Sequence, residues 1–267
     1  MFVSVITVCF QAAAVIERTL VSVIRQSFTD VEYIVIDGNS QDGTIDIINK
    51  YHDKITCFLT EPDTGIYQAM NKGIRLAKGD YCLFLNAGDT FINKDVLSDI
   101  APLLSGESVI TGNMITVQDG RIQDFIQPPT SIDFHFLCNN CLSHQASFIK
   151  TALLKSHPYD ESLQIASDWK FWFEQLYLNH GSYKPVDIDI SVFARDGLST
   201  RDSSGLTVQE REKVILEVLG AEAVSRFRDQ RKRNTGPFLY FKIRSRIMRA
   251  YRLFKYRHHF DRIESFR

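Results

Sequence analysis

Six residues, FLNAGD (84–89), place Asn86, Gly88 and Asp89 directly after the apolar run Tyr81-Cys82-Leu83-Phe84-Leu85. That run reads as a buried strand. The carboxyl ends of parallel strands are where open α/β sheets bind ligands. Gly88 allows a close backbone approach, and Asp89 is a hard oxygen donor suited to Mg²⁺ or Mn²⁺ carried by a diphosphate. A helix-capping aspartate would look similar in isolation. Further acids extend the pattern: Asp37 closes VEYIVID (31–37), and Glu61-Pro62-Asp63 follows ITCFLT (55–60). Like charges along one sheet edge repel unless a cation or hydrogen-bond donors compensate. Capping therefore explains the set less well than any one member.

Later positions add candidates with open alternatives. Asp168, in SDWKFWFEQLYL (167–178), fits the first turn of a helix, where a negative charge favours the macrodipole. Its neighbours Trp169, Phe171, Trp172 and Phe173 suit a core better than a ligand-stacking platform. Arg195 opens Arg195-Asp196-Gly197-Leu198-Ser199-Thr200, either an ordinary turn or a loop closing over a diphosphate with Arg195 on a phosphate. Asn71 and Lys72 suit helix packing and solvation. Cys138-Asn-Asn-Cys141 has metal-ligand spacing but no second pair to complete a zinc site.

The elements that must position these groups alternate. Strands are expected at 3–9, 31–37, 55–60 and 80–86, and helices at about 12–27, 43–53, 65–78 and 94–104, which implies βαβ units and a parallel sheet. Ser40 or Asp42 is the expected N-cap after the second strand. From about 107 the texture changes. A hairpin around Asp119-Gly120 is followed by a short helix at 131–137, a strand at 143–149, the helix at 167–178, a strand at 184–194 and a helix at about 207–224. The expected fold is α/β, a Rossmann-like, mostly parallel sheet flanked by helices. The expected division is a first half (1–106), a second half (107–205) and a helical basic extension (206–267).

The 267 residues are 44% apolar and carry a formal charge of −1. Residues 226–267 hold 14 Lys/Arg against 3 Asp/Glu, while 1–225 hold 17 against 29. Within 238–257, Leu239, Ile243, Ile247, Tyr251 and Phe254 recur at helical spacing among basic residues, a pattern suited to an anionic membrane surface or to packing on the acidic body. No nucleic-acid motif accompanies the charge. No stretch would span a bilayer, and Met1 leads straight into Phe2-Val3-Ser4-Val5 with no leader pattern. The five cysteines are scattered and odd in number. The expected address is the cytoplasm, with a peripheral position on the inner face of the cell membrane.

The blocks VSVITVCFQ (3–11), VIDGNSQDGT (35–44), EPDTGIYQAMNKGIRLAKGDYCLFLNAGD (61–89) and ASDWKFW (166–172) resemble the family-2 glycosyltransferases of GT-A fold. These are inverting enzymes that move a sugar from a nucleotide-sugar to an acceptor. The NAGD variant is most similar to bacterial enzymes building surface polysaccharides such as colanic acid or O-antigen. The resemblance implies that Thr7 to Gln11, Phe10 included, borders the nucleoside. It implies that Asp37 hydrogen-bonds the base, that Asp63 lies by the nucleotide, and that His144-Gln145 lies near the donor sugar. Asn86 and Asp89 match the DxD-type motif, with Asp89 on Mg²⁺ or Mn²⁺, and Asp168 matches the base that deprotonates the acceptor. The acceptor would be a glycan or lipid-linked saccharide.

The chain departs from the commonest family pattern at Gln11, where Asn is usual, and at Ser167, where Glu is frequent. Asn86 and Gly88 replace carboxylates, leaving Asp89 the only acid of its motif. A metal would then lean on diphosphate oxygens and water. That thinning motivates a second reading, a nucleotide-sugar-binding scaffold without turnover. A nucleotidyltransferase ranks last, because QAAAVIER after the first strand lacks the Gly-rich, basic loop it needs.

Overall fold

The computed structural model describes residues 1–119, 121–195, 204–233 and 256. Strands β1 (Val3–Cys9), β2 (Val31–Asp37), β3 (Cys57–Thr60) and β4 (Tyr81–Phe84) pair in parallel in the order β3-β2-β1-β4. All seven residues of β1 are buried, as a strand covered on both faces requires. Register sets Cys9 beside Asp37 and Asp37 beside Thr60, so the carboxyl ends of three strands share one edge.

Three helices join these strands: α1 (Ile16–Ile24), α2 (Thr44–Asn49) and α3 (Ile66–Leu76). Each buries an apolar stripe, Ile16, Leu20 and Val23 in α1 and Met70 and Ile74 in α3. Neither Ser40 nor Asp42 caps α2, because Gly43 takes that position. The Ser40 hydroxyl goes to Asp37 instead, and Asp42 accepts from the Thr44 N–H.

The sheet continues without a break into the second half. The short β5 (Thr90–Phe91) and α4 (Val96–Ile100) precede the hairpin β6 (Val109–Gln118) and β7 (Arg121–Ile126). After α5 (Phe134–Asn139), β8 (Ser147–Lys150) lies antiparallel between β4 and β6. Strand β8 starts later than expected, since His144–Ala146 form a 3₁₀ turn closed by Ser147 Oγ on the Ser143 carbonyl, 2.7 Å. Then come α6 (Thr151–Ser156), α7 (Ser167–Trp172), which widens into a π-helix over Phe173–Leu178, and β9 (Tyr183–Ala194), parallel to β6.

The helix expected at 207–224 is two, α8 (Leu206–Leu219) and α9 (Ala221–Arg233), separated at Gly220. Both join the apolar cluster on one sheet face: Val214, Ile215, Val224 and Phe227 meet the face that holds Trp169, Trp172 and Phe173. Those aromatics are buried core. The opposite face packs α1, α2 and α4. The amphipathic segment 238–257 lies outside the described residues except Tyr256, which is buried with its hydroxyl on Asp189, 2.6 Å. Among the described residues no helix is long and apolar enough to cross a membrane. All five cysteines are free thiols.

Candidate active site

The first part of the site is the edge where β1, β2 and β3 end. Thr7 is fully buried, its hydroxyl shared between Tyr33 Oη, 2.9 Å, and the Leu85 carbonyl, 2.8 Å, so it ties β1 to both neighbours. Beyond β1 the chain turns outward. Phe10 is 62% exposed, an unusual position for a large aromatic ring. The amides of Gln11, Ala12 and Ala13 are held by Ser40, Thr44 and Asp42 at 2.8–3.0 Å, so two loops form one rigid rim.

Asp37 is buried beneath that rim. Its carboxylate accepts from the Ser40 N–H and hydroxyl and from Thr60 Oγ1 at 2.6–2.9 Å. A bond from Asp37 to a nucleobase would share an oxygen already engaged. Gly38 leaves the space above it open: a Cβ there would stand 2.8 Å from Asp63 Oδ2 and 3.2 Å from the Phe10 ring. Phe10, Gly38 and Asp63 therefore line one small recess. Burial pushes the Asp63 carboxyl up against the opposing charge of Lys72. Lys72 itself bonds the Pro62 carbonyl, 2.9 Å, and Glu61, 3.0 Å, while Asn71 binds Tyr159 and Glu161, so both serve the scaffold.

The second part is the NAGD turn. Leu85 and Ala87 extend the ladder along β1, and the Asp89 N–H closes the turn on the Asn86 carbonyl, 2.9 Å. Gly88 has φ +102°, a conformation that favours glycine. Its N–H goes to Thr19 and its carbonyl accepts from Arg18 Nε, both 2.9 Å. Asp89 is 5% exposed and accepts from the Ala194 N–H at 3.3 Å. Burial pushes its carboxyl up to about 7, against the Ala194 N–H and the charge of Arg18.

His144 joins this turn to the third part. Its Nδ1 lies 3.3 Å from Asp168 Oδ2 and its Nε2 lies 3.4 Å from Asn86 Nδ2. A carboxylate only accepts, so Nδ1 carries the proton toward Asp168 and Nε2 accepts from Asn86. The second oxygen, Asp168 Oδ1, receives Tyr67 Oη at 3.2 Å, and Cys141 Sγ stands 3.6 Å from Oδ2. Burial pushes Asp168 up, yet the hydrogen bond from His144, the Trp169 N–H and the charge of Arg211 outweigh it and hold the carboxyl below its ordinary value. Burial, then the charge of Asp168, keeps the Cys141 thiol protonated.

Asn86 Oδ1 is buried with no hydrogen-bond partner. Such an orphaned acceptor costs about 1–3 kcal/mol unless a ligand takes it. Asp89 adds a carboxylate in the same turn, and oxygen donors of these two kinds suit Mg²⁺ or Mn²⁺. Among the described residues no group of three or more His, Cys, Asp or Glu gathers as a metal cage. Such a cation would draw its other ligands from a diphosphate and water. Arg195 follows Ala194 directly and pairs with Asp124 on β7 at 3.0 Å. Residues 196–200 of its expected loop lie outside the described residues.

The glycosyl transferase family 2 model matches residues 4–152. The chain belongs to glycosyl transferase family 2. This family-2 chain is 34% identical over 176 residues to an uncharacterized glycosyltransferase of Mycobacterium tuberculosis, covering 63% of the chain and 66% of that protein. It is also 34% identical over 147 residues to TuaG of Bacillus subtilis, a glycosyltransferase assigned to teichuronic acid biosynthesis, covering 52% and 58%. It thus spans about two thirds of the length of such relatives or less. Its fold is similar to that of S. aureus TarS in complex with UDP-GlcNAc, with TM-score 0.69, 22% identity, and 86% of this chain and 72% of that one covered. The family match takes in the edge where β1, β2 and β3 end, the NAGD turn and His144, and stops before Asp168.

In this family-2 chain, three residues at the site escape a reading of the sequence alone. Tyr67 carries no signal beyond a place on the buried stripe of α3. Arg18 is the sole basic residue of α1, a faint sign. Cys141 was legible only as half of a spacing motif.

Proposed function

We propose that this chain transfers a sugar from a UDP- or GDP-linked donor to a hydroxyl of a glycan or lipid-linked saccharide, with inversion, in surface polysaccharide biosynthesis. One observation carries the reading: His144 contacts Asp168 and Asn86 at once, which supports one site shared by the acid of ASDW and the NAGD turn. The family membership supports the reaction class, and the names of TuaG and TarS support a surface polymer and a UDP-linked donor.

On this reading the Phe10 ring takes one face of the base, and Asp63 lies beside it at the Gly38 recess. Thr7 and Asp37 brace the floor that borders the nucleoside. Asp89 and Asn86 Oδ1 would hold Mg²⁺ or Mn²⁺, which when bound supplies charge stabilisation to the departing diphosphate. Asp168 Oδ2 receives the proton of the acceptor hydroxyl as that oxygen attacks the anomeric carbon from the side opposite the diphosphate. His144 fixes the carboxylate and spreads the cost of keeping it ionised in a buried place. Arg195 lies one residue from the amide on Asp89, within the sequence expected to cover the diphosphate.

The test is release of nucleoside diphosphate from UDP-glucose, UDP-GlcNAc and GDP-mannose with Mg²⁺ or Mn²⁺ and a bacterial membrane extract as acceptor. Asp168→Asn should lose about 10²–10⁴-fold in turnover, the usual worth of a general base. Full activity in that variant would refute the base assignment. Binding of UDP with no turnover from any donor would favour the scaffold reading, for which the single carboxylate of NAGD is the motive.

A further inference from the structure

We infer that Glu210 and Arg211, on the helix that follows the α/β body, are positioning residues for Asp168. The inference rests on the proposed role of Asp168 as base. Helix α7 has no side-chain cap of its own. Its N-terminal approach is held from outside: Glu210 Oε1 accepts from the Gln164 N–H at 2.7 Å, and Oε2 accepts from the Ile165 and Ala166 N–H groups at 3.0 and 2.9 Å. Glu210 is 8% exposed. A carboxylate buried on the apolar side of a helix is costly unless matched by donors, and here three consecutive amides match it. It also places negative charge at the positive end of α7.

The next residue grips the same helix one turn on. Arg211 is buried, and its guanidinium lies 5.1 Å from the centroid of the Trp169 ring, the residue after Asp168. Trp169 is fixed from two further sides, by its indole N–H on the Leu137 carbonyl, 2.8 Å, and by stacking on Phe173, centroids 5.1 Å apart. Two adjacent residues of α8 thus bracket Asp168, one on the three amides ending two residues before it and one on the ring after it. Val214 and Ile215 seat α8 on that same core. The segment after the sheet is part of the machinery that aims the base, and not an appendage to it.

The experiment uses the full chain with Glu210→Gln, which keeps the side chain's size and turns one acceptor oxygen into a donor facing an N–H. Displacing a catalytic group by about 1 Å can cost about 10²-fold, so turnover should fall by about 10- to 100-fold. The KM for UDP-GlcNAc or GDP-mannose and the affinity for UDP should stay within about twofold, the mark of a loss felt only in the transition state. Amides 164–169 should exchange hydrogen faster than in the natural chain, with β1–β4 unchanged. Arg211→Met should give the same split, and Arg211→Lys should recover part of the turnover; these decide the matter if Glu210→Gln does not fold. Retained turnover, or KM rising as far as kcat falls, overturns the inference. A natural chain with no turnover would refute the proposed function instead. The exchange of amides 164–169 would still decide the positioning, and unchanged rates in the variant would overturn it.

Discussion

The phenol of Tyr67 donates to Asp168 Oδ1 at 3.2 Å across 101 residues of sequence, joining the helix after the EPDTG turn to the helix that carries Asp168. Because Tyr67 is buried, Tyr67→Phe removes the donor and leaves the packing. A hydrogen bond to a charged group is worth about 1.5–3 kcal/mol. Turnover should therefore fall by about tenfold while the melting temperature moves by only a few degrees, read by steady-state kinetics beside calorimetry. A melting shift with unchanged turnover would assign Tyr67 to stability alone.

His144 governs the pH response. The base role proposed for Asp168 requires its ionised form, and its carboxyl is held below the ordinary value because burial is outweighed, above all by His144. Turnover should stay level as pH falls through the range where an ordinary aspartate protonates. The stability that Asp168 contributes is present above its unfolded-state value and is lost as pH falls through the lowered native one. In His144→Ala, burial acts with less opposition, so the acid limb of the kcat–pH profile should move upward. An unmoved limb would show that His144 only orients the carboxylate.

How much of this was written locally decides how much was legible. The buried strands, their acidic ends and the NAGD turn follow from runs of a few residues, so 3–9, 31–37 and Asp89 could be placed from pattern. The partners of Asp168 could not. Tyr67 and His144 lie 101 and 24 positions from it, and only the packed sheet brings them together. Local rules also lost to tertiary demand at Ser40, whose hydroxyl satisfies the buried Asp37 instead of capping α2. The 3₁₀ turn at His144 likewise displaced the expected start of a strand.

Phe10 offers the cleanest test of the proposed nucleoside edge. It is 62% exposed, so Phe10→Ala should leave stability unchanged. Stacking of a base on an aromatic ring is worth about 1–3 kcal/mol, and UDP affinity should drop by about tenfold, measured by titration calorimetry. Gly38→Ala should weaken UDP as well, by driving a methyl against Asp63 Oδ2 at 2.8 Å. Undiminished binding in both variants would place the nucleoside elsewhere.

The basic tail separates two outcomes. Residues 237–267 carry nine Lys/Arg, and each basic residue near an anionic surface contributes about 1 kcal/mol at moderate salt. Deleting 237–267 should leave the sheet folded and reduce sedimentation with phosphatidylglycerol vesicles, in a salt-dependent way. The bond of Tyr256 to Asp189 joins the tail to the body. If the tail serves that contact alone, the deletion will lower the melting temperature and leave vesicle binding where it was.

Asp89 sets stability against function. Burial raises its carboxyl to about 7, so the stability gained by keeping it neutral is lost as pH rises through that value. Asp89→Asn should accordingly melt higher than the natural chain at pH above about 7 when no metal is added. It should also lose turnover, because an amide cannot offset a divalent charge. In the natural chain, UDP with Mn²⁺ in large excess should raise the melting temperature by on the order of 5 °C. Chelation should remove most of that gain, and Asn86→Ala should shrink it by withdrawing the orphaned Oδ1. A UDP-induced shift indifferent to chelator and to both substitutions would move the diphosphate away from the NAGD turn, leaving its buried acid and amide without the ligand their chemistry calls for.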